Sequence, residues 1–296
     1  MKVLVTGGTG FVGHKIVHAL RAAGRDVRAL VRKPAKASTL QAWGCELVDG
    51  DITDTASLER AVEGCDAVVH LVAVITGSAA DFERVMTKGT ENLIAAARRA
   101  AVGRFVLMSA LGTSEQNRDL VPYFRSKWEM ERSVRQSGLE HVIFRPSFVF
   151  GSDGGVLPTF VRQVRLAPLT PVVGSGEERF QPIWVDDVAA FFAQGVERPA
   201  AANRTFELGG PEIVSWNEFY YRIKKVLGIR RRTVHLPVGL VRAGASVLER
   251  LPKAPITRDQ LTMLTKGGDQ VCDMGPALEA FDVDLISLDE QIRRAG

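Results

Sequence analysis

The hydrophobic positions of this chain fall into short runs rich in β-branched residues, separated by stretches in which apolar residues recur at helical spacing. Over the first half the two patterns alternate. They predict strands at 3–6, 27–31, 46–48, 67–71, 104–108 and 141–146, with a later strand at 205–208, and helices at 11–22, 57–62, 82–100 and 122–137. Such alternation is typical of a parallel sheet covered by helices on both faces.

Glycines mark the ends of these elements. Four of them follow the predicted helices at the positions of left-handed C-terminal caps: Gly24, Gly64, Gly103 and Gly138. After Gly151 the rhythm changes, because 152–176 is rich in glycine and proline and therefore predicts loops and short helices. Helical spacing returns at 215–227 and 236–251, which we expect to belong to a smaller second lobe.

Composition narrows the class of protein. The 296 residues are 46% apolar and 24% charged, as in a globular chain, and the net charge of +4 is too small to indicate a nucleic-acid partner. Cys45, Cys65 and Cys272 match neither a disulfide framework nor a zinc site, so we expect reduced thiols in the cytoplasm and no metal. No apolar run reaches membrane-spanning length, and strand-like sequence from Lys2 leaves no room for a signal peptide.

The segment after the first strand carries the clearest chemical signal. Thr6 is followed by Gly7, Gly8, Thr9, Gly10, Phe11, Val12 and Gly13, and the first helix begins at once. Gly7 permits a tight turn, Gly10 lets the backbone approach a pyrophosphate, and Gly13 lets the helix pack closely on the strand. We therefore predict an α/β fold with a Rossmann-type doubly wound parallel sheet: a dinucleotide-binding domain at 1–151, completed by about 179–212, and a smaller substrate or partner lobe at 152–178 and 213–296.

The end of the second strand indicates which dinucleotide binds. An acidic residue about 20 positions after the turn holds the 2′-hydroxyl of NAD. This chain has Arg32 and Lys33 there, which favours the 2′-phosphate of NADP over NAD, unless both are merely solvated charges. Asp51 and Ile52 follow the third strand, where they either contact the adenine or form an ordinary turn.

Tyr123 and Lys127 are candidate catalytic residues. They lie four positions apart on a predicted helix, so one face presents both, and an ammonium beside a phenol is expected to lower the phenol pKa towards neutrality. Lys127 could also bond the nicotinamide ribose. The spacing recurs at Tyr220 and Tyr221, but only the helix of Tyr123 runs beside the carboxyl edge of the predicted sheet.

These ordered motifs resemble the short-chain dehydrogenase/reductase superfamily, in its extended or atypical branch. The glycine turn matches that family's cofactor turn, Tyr123 and Lys127 match its YxxxK pair, and Arg145-Pro146-Ser147 is similar to its sixth-strand motif. The resemblance implies cofactor contacts from Pro146 and from the segment after the fourth strand. Within the superfamily the chain is most similar to bacterial relatives of the nucleotide-binding accessory subunit of respiratory complex I.

Two departures from that family bear on activity. Ala110 stands where active members usually place a Ser or Thr that bonds the substrate carbonyl, so Ser109, Thr113 or Ser114 would have to supply the donor. Ser109 is the candidate we assign. Second, Leu71-Val72-Ala73 replaces the family's Asn-Ala-Gly-like stretch, which affects the geometry on the nicotinamide side.

Three functions follow from this reading. The favoured one is an NADP(H)-dependent oxidoreductase that acts on a carbonyl or alcohol carbon of a small molecule, with Tyr123 as acid/base. The second is a catalytically inert accessory or assembly protein, favoured by Ala110. The third is a nucleotide-sugar epimerase or dehydratase, for which the sequence offers no sugar-diphosphate feature.

A basic run lies in the second lobe: Arg222, Lys224, Lys225, Arg230, Arg231 and Arg232. Its ordinary interpretation is a solvated helix face and turn. The alternative couples it to the apolar segment 238–251 and predicts peripheral contact with the inner face of a membrane or with a respiratory complex. His235 and Trp216 are interpreted as packing residues, whereas Gln181 and Trp184 either touch a substrate or pin the two lobes together.

Overall fold

The computed structural model describes residues 1–248, 257–266 and 268–296. Its strands are β1 (Lys2–Thr6), β2 (Asp26–Val31), β3 (Glu46–Asp49), β4 (Ala67–His70), β5 (Arg104–Met108), β6 (Glu140–Pro146), β7 (Val149–Phe150), β8 (Leu169–Val173), β9 (Arg179–Phe180), β10 (Ile183–Trp184), β11 (Arg204–Leu208), β12 (Val214–Ser215) and β13 (Arg232–Leu236). Its α-helices are α1 (Phe11–Ala22), α2 (Ser38–Ala42), α3 (Thr55–Val62), α4 (Ala79–Phe82), α5 (Gly89–Arg99), α6 (Pro122–Arg135), α7 (Leu157–Leu166), α8 (Val185–Gly195), α9 (Trp216–Val226), α10 (Val238–Leu248), α11 (Arg258–Lys266), α12 (Gly275–Ala280) and α13 (Leu288–Ala295).

Seven parallel strands form the central sheet, in the order β11-β6-β5-β4-β1-β2-β3. The chain runs outwards from β1 to β3 and then crosses back to β4, so the strand order reverses between β1 and β4. Their carboxyl ends are adjacent, with Thr6 paired to His70. This topology confirms the predicted Rossmann-type fold, and open α/β sheets bind their ligands at such a reversal.

Helices cover both faces of this sheet, which explains the nearly continuous apolar strands. Val3, Leu4 and Val5 are fully buried. One face packs against α3, α5 and α6, and the other against α1 and α8. On α1 the buried residues fall on one face: Gly13, Ile16, Val17 and Leu20.

Three of the four glycines predicted to end helices adopt the left-handed backbone conformation: Gly24, Gly64 and Gly138 have φ of +74°, +66° and +76°. The prediction for Gly103 is wrong. There the left-handed residue is Ala101 (φ +53°), whose amide donates to Arg98 O, while the amide of Gly103 already bonds Asp66 O at the entry to β5.

Other elements differ in their bounds or kind. The predicted helix 82–100 begins earlier, at Ala79, and contains a π-helical segment, Glu83–Lys88, between α4 and α5. The stretch 152–176, expected to hold loops and short helices, contains the ten-residue α7 and the strand β8. The predicted helix 236–251 begins later, because Leu236 closes β13; positions 249–251 lie outside the described residues.

The chain divides into two compact units. The first comprises Met1–Pro146, Val185–Leu208 and Asp273–Asp284; the second comprises Ser147–Trp184, Gly209–Cys272 and Leu285–Gly296. This division differs from the predicted boundaries, which extend the first domain to 151 and assign all of 213–296 to the smaller lobe. The segment Asp273–Asp284 returns to the first unit because α12 packs against the edge strand β11.

Candidate functional site

The glycine turn lies at the reversal point of the sheet, between β1 and α1. Gly7 has φ +80°, and its carbonyl accepts a hydrogen bond from Gly10 N at 3.0 Å. A Cβ on Gly13 would lie 2.1 Å from Gly7 O, so only glycine allows α1 to approach the turn this closely. The structure therefore explains the glycines at positions 7 and 13, whereas the role of Gly10 towards a pyrophosphate stays a prediction.

The turn fits a dinucleotide pyrophosphate. Gly10 is the N-cap of α1 and offers no side chain to the first amides of the helix, and Thr9 and Gly10 are exposed. The helix N-terminus therefore directs backbone N–H groups and the positive end of its dipole towards an open surface. Phe11 and Val12, the first residues of α1, are half-buried beside it.

The residues predicted to face the adenosine lie at the ends of β2 and β3. Arg32 and Lys33 are exposed. Burial opposes ionisation of Asp51, yet hydrogen bonds from the Thr53 hydroxyl and amide, with the charge of Arg32, hold the pKa of Asp51 below its ordinary value. Ile52 is buried in the core, so its side chain is not available to a ligand, and its contact with the adenine stays a prediction for its backbone.

The segment after β4 borders the glycine turn. Leu71 N donates to Thr6 O at 3.1 Å, and a Cβ on Gly7 would lie 3.1 Å from Leu71 C and 3.2 Å from Val72 N. Val72 and Ala73 are half-buried against the core. On the other side of the sheet centre, Pro146 closes β6 and its carbonyl accepts a hydrogen bond from Leu111 N at 3.0 Å.

Tyr123 and Lys127 lie on one face of α6, as predicted. Lys127 is fully buried; its Nζ donates to Met108 O at 2.6 Å and lies 5.8 Å from the centre of the Tyr123 ring. The half-buried Tyr123 ring also packs edge-on to Phe82. The lysine is thus anchored to the end of β5 while its charge stays beside the phenol ring.

The expected lowering of the tyrosine pKa is wrong for this structure. Burial raises the pKa of Tyr123 to about 12, and burial lowers the pKa of Lys127 to about 8 against the opposing effect of Glu131. The rise in the tyrosine pKa is caused by loss of hydration, which the sequence pattern does not reveal. Tyr123 therefore holds its proton at neutral pH.

Glu131 is a residue that the sequence analysis missed. It is fully buried on α6, one turn after Lys127, and Arg145 of β6 binds it with two hydrogen bonds of 2.8 Å. Arg135 adds a third at 2.5 Å. Burial disfavours the charge, but these arginines hold the pKa of Glu131 below its ordinary value. The four-residue spacing from Lys127 is the signal that could have identified it.

Ser109 lies beside this ion pair. It is buried, its Oγ lies 3.4 Å from Thr113 Oγ1, and its hydroxyl helps to keep Glu131 ionised. Thr113 is equally buried, whereas Ala110 and Ser114 are half-buried. The described contacts of Ser109 are thus structural, and its role as the carbonyl donor stays a prediction.

His70 is a second missed residue, at the end of β4. Thr90 Oγ1 donates to Met86 O at 2.6 Å, so it accepts the hydrogen bond from His70 Nε2 at 2.9 Å. The unprotonated Nδ1 then accepts from Thr6 Oγ1 at 2.6 Å. Burial, with the charge of Lys127, lowers the pKa of His70 to about 3. A lone histidine at the end of an apolar strand was the available signal.

Several predicted residues belong to the second unit and lie within its own packing. Gln181 accepts from Cys272 N at 3.0 Å and donates to Gly210 O at 2.7 Å, so it joins segments of that unit. Trp184 is buried. Trp216 stacks on Phe180 with ring centres 4.3 Å apart, as expected of a packing residue.

Tyr220 is buried with its hydroxyl 3.3 Å from Gln163 Oε1, and Tyr221 is exposed. Among the described residues, no group of three His, Cys, Asp or Glu side chains could hold a metal ion. The cysteines at 45, 65 and 272 are free thiols. Across the part of the chain that the structure describes, every helix is too short or too polar to span a bilayer.

Comparison with known proteins agrees with this geometry. The family described as NAD(P)H-binding matches residues 7–199. The ceramide reductase of Caulobacter vibrioides is 32% identical, with 83% of this chain and 77% of the relative covered. The 4-hydroxy-2-methyl-3-oxo-4-farnesyl-3,4-dihydroquinoline-1-oxide ketoreductase of Stigmatella aurantiaca is 29% identical over 86% and 81% of the two chains.

A further relative, the photosystem II assembly factor Ycf39 of Synechocystis, is 28% identical over 96% of this chain and 86% of its own. Among solved structures, the NADPH-dependent quinone oxidoreductase of Escherichia coli, complexed with NADPH, superposes with a TM-score of 0.79 at 21% identity, covering 98% of both chains. The chain thus belongs to the NAD(P)H-binding family.

Proposed function

We propose that this protein is an NADPH-dependent ketoreductase. The observation that carries the proposal is the pair on α6: a phenol that retains its proton, beside a buried ammonium anchored to the end of β5. A reductase needs a proton donor at the carbonyl oxygen and a group that stabilises the resulting phenolate. Tyr123 and Lys127 supply these two groups.

The cofactor would be held by residues already described. The amides of the glycine turn would bind the pyrophosphate, Arg32 and Lys33 the 2′-phosphate, and Lys127 the nicotinamide ribose. When bound, NADPH supplies a hydride to the carbonyl carbon. The exposed Arg32 and Lys33, with no acidic residue at the end of β2, favour NADP over NAD.

The protein's own groups complete the reduction. As the carbonyl carbon gains the hydride, its oxygen gains negative charge and takes the proton from the Tyr123 hydroxyl. The phenolate left on Tyr123 is stabilised by the ammonium of Lys127, which the 2.6 Å bond to Met108 O holds in place. With a pKa near 12, Tyr123 carries its proton at neutral pH and so is in the protonation state that a proton donor for reduction requires.

Relatives suggest the kind of carbonyl. The names of two of them contain a farnesyl-bearing 3-oxo compound and ceramide, so both act on molecules with long hydrocarbon chains. We infer that the substrate of this chain is a ketone that carries such a chain.

The test is Tyr123→Phe, assayed by NADPH consumption with 3-oxoalkanoate esters of short and long alkyl chain. We expect at least a hundredfold loss of turnover, the usual scale for a positioned proton donor, with NADPH affinity nearly unchanged. Tyr221→Phe is the matched control, since Tyr221 is exposed and has Lys225 at the same spacing. Equal turnover by wild type and Tyr123→Phe would remove Tyr123 from the mechanism.

The cofactor assignment is tested by Arg32→Ala, with Arg98→Ala, at another exposed arginine, as control. Calorimetry should show a selective loss of NADPH over NADH binding of about tenfold, as a lost charge-assisted hydrogen bond implies. An equal effect on both nucleotides would refute a 2′-phosphate contact.

A second candidate is an accessory protein in which NADP(H) stabilises the fold without turnover. Ala110 at the usual Ser or Thr position supports it, as do the name of the Ycf39 relative and the resemblance to the complex I accessory subunit. Under this alternative the purified protein binds NADPH and consumes none with any ester of the panel, whereas Ala110→Ser gains turnover. Turnover by the wild-type chain would refute this alternative and favour the ketoreductase.

A further inference from the structure

The second unit contains a small sheet with one apolar face. Strands β8 and β13 pair in parallel, with Leu169 opposite Arg232 and Pro171 opposite Val234. Residues paired across neighbouring strands point to the same side, and side chains alternate between sides along a strand. One side therefore carries five apolar side chains, which we call the outer face: Leu169, Pro171, Val173, Val234 and Leu236.

The opposite side of this sheet packs against other elements of the second unit. Thr170 and Val172 are buried, Thr233 Oγ1 accepts from Lys224 of α9 at 2.8 Å, and His235 Nε2 lies 2.9 Å from Asn217 Oδ1. On the outer face, Leu169 is 45% and Val234 37% exposed, and Pro171, Val173 and Leu236 are half-buried among the described residues.

Three arginines border the outer face. Arg230, Arg231 and Arg232 are exposed at the start of β13, and the register places Arg232 beside Leu169. In the described ranges, none of the three side chains pairs with a carboxylate. Arg222, in the same basic run, differs because it binds both Glu212 and Asp289. The three charges are therefore available to an external anion.

We propose that the outer face and these arginines dock on an anionic phospholipid bilayer. Aliphatic side chains would enter the headgroup boundary while the guanidinium groups bind lipid phosphates. Two copies of this chain would bring like-charged arginines together, and a nucleic acid would leave the aliphatic face unused, so neither matches the surface as well. The surface lies on a sheet, whereas the sequence had suggested the helical segment 238–251.

Co-sedimentation tests the proposal with full-length protein and two kinds of vesicle: phosphatidylcholine alone, and equal parts of phosphatidylcholine and phosphatidylglycerol. We expect binding to the anionic vesicles, weakened by salt. The triple variant Arg230→Gln, Arg231→Gln, Arg232→Gln should reduce the partition coefficient about a hundredfold, at about fivefold per arginine near an anionic surface. Leu169→Ser should reduce it about tenfold and leave the salt dependence intact.

The control variant removes three positive charges from the first unit: Arg84→Gln, Arg98→Gln, Arg99→Gln, all exposed. It should bind vesicles nearly as well as wild type. Equal losses in the two triple variants would overturn the proposal, because binding would then follow net charge alone. So would an absence of vesicle binding, or a dimer that Leu169→Ser abolishes in sedimentation velocity. Thermal unfolding of each variant shows whether it is folded. The vesicle assay contains neither NADPH nor substrate, so its outcome is independent of the proposed reaction.

Discussion

His70 makes the stability of this protein depend on pH over a defined range. Its ring is neutral in the folded state, with a pKa lowered to about 3 from an ordinary 6.5, because it is buried between Thr6 and Thr90 and near Lys127. The unfolded chain binds a proton at this histidine below about pH 6.5, and the folded chain does not. The contribution of His70 to the free energy of unfolding is therefore fully present above the pKa of this histidine in the unfolded chain. It decreases as the pH falls below that value.

The size of the effect follows from the two pKa values. Each pH unit below 6.5 costs about 1.36 kcal/mol, so His70 should lower the free energy of unfolding by about 2 kcal/mol between neutral pH and pH 5. The assay is urea unfolding at a series of pH values for wild type and His70→Asn. The variant should be less stable at neutral pH and should lose about 2 kcal/mol less on acidification. His18→Gln, at an exposed histidine, is the control and should keep the wild-type slope.

A direct measurement covers the case in which His70→Asn does not fold. In nuclear magnetic resonance, the ring nitrogen shifts of His70 in the wild-type protein should stay constant from about pH 8 down to about pH 5, with Nε2 protonated. Titration of this ring near pH 6.5, or equal acid slopes in wild type and variant, would refute the assigned hydrogen bonds.

The remaining predictions concern the glycine turn, the buried ion pair and the lysine. Gly13→Ala places a Cβ 2.1 Å from a backbone oxygen of the turn, so NADPH affinity measured by calorimetry should fall more than tenfold, whereas Gly239→Ala, with open space at its Cβ, should leave it unchanged. Glu131→Gln leaves two arginines without their buried partner and should lower the free energy of unfolding by about 3–5 kcal/mol. Glu129→Gln removes a pair between the half-buried Glu129 and the exposed Arg132 and should cost under about 1 kcal/mol; similar losses in the two variants would contradict the burial argument. NADPH-dependent reduction should decline as the pH rises through about 8, where Lys127 loses its charge, and a flat alkaline profile would remove that charge from the mechanism.

Local patterns predicted most of the fold. The strand at 104–108 and the helix at 11–22 have the predicted bounds, since apolar period and flanking glycines are properties of neighbouring residues. The parallel sheet covered by helices on both faces followed from the alternation of strands and helices. The prediction at Gly103 failed for a non-local reason: the backbone bond from Gly103 to the distant Asp66 O leaves Ala101 to take the left-handed conformation at the helix end.

The candidate site was less predictable, because its energetics depend on contacts between distant segments. Tyr123 and Lys127 were identified by spacing, but the direction of the tyrosine pKa follows from burial, which a spacing does not show. Likewise, Arg145, 14 positions away on β6, binds Glu131 and lowers its pKa. The spacing of residues along the sequence shows which side chains share a helix face. How far these side chains are hydrated depends on how the helix packs against the sheet.

The polar bonds at the carboxyl edge of the sheet have a consequence for cofactor binding. His70 joins the ends of β1 and β4 to the helix that follows, and Lys127 and Glu131 join α6 to the ends of β5 and β6. Each of these bonds links elements within the first unit. An apolar core alone tolerates small shifts of one strand end against the next, whereas a buried hydrogen bond loses its energy when its geometry changes. We therefore expect these polar residues to fix the spacing between the glycine turn and the Tyr123 helix, which would lower the ordering cost of nucleotide binding.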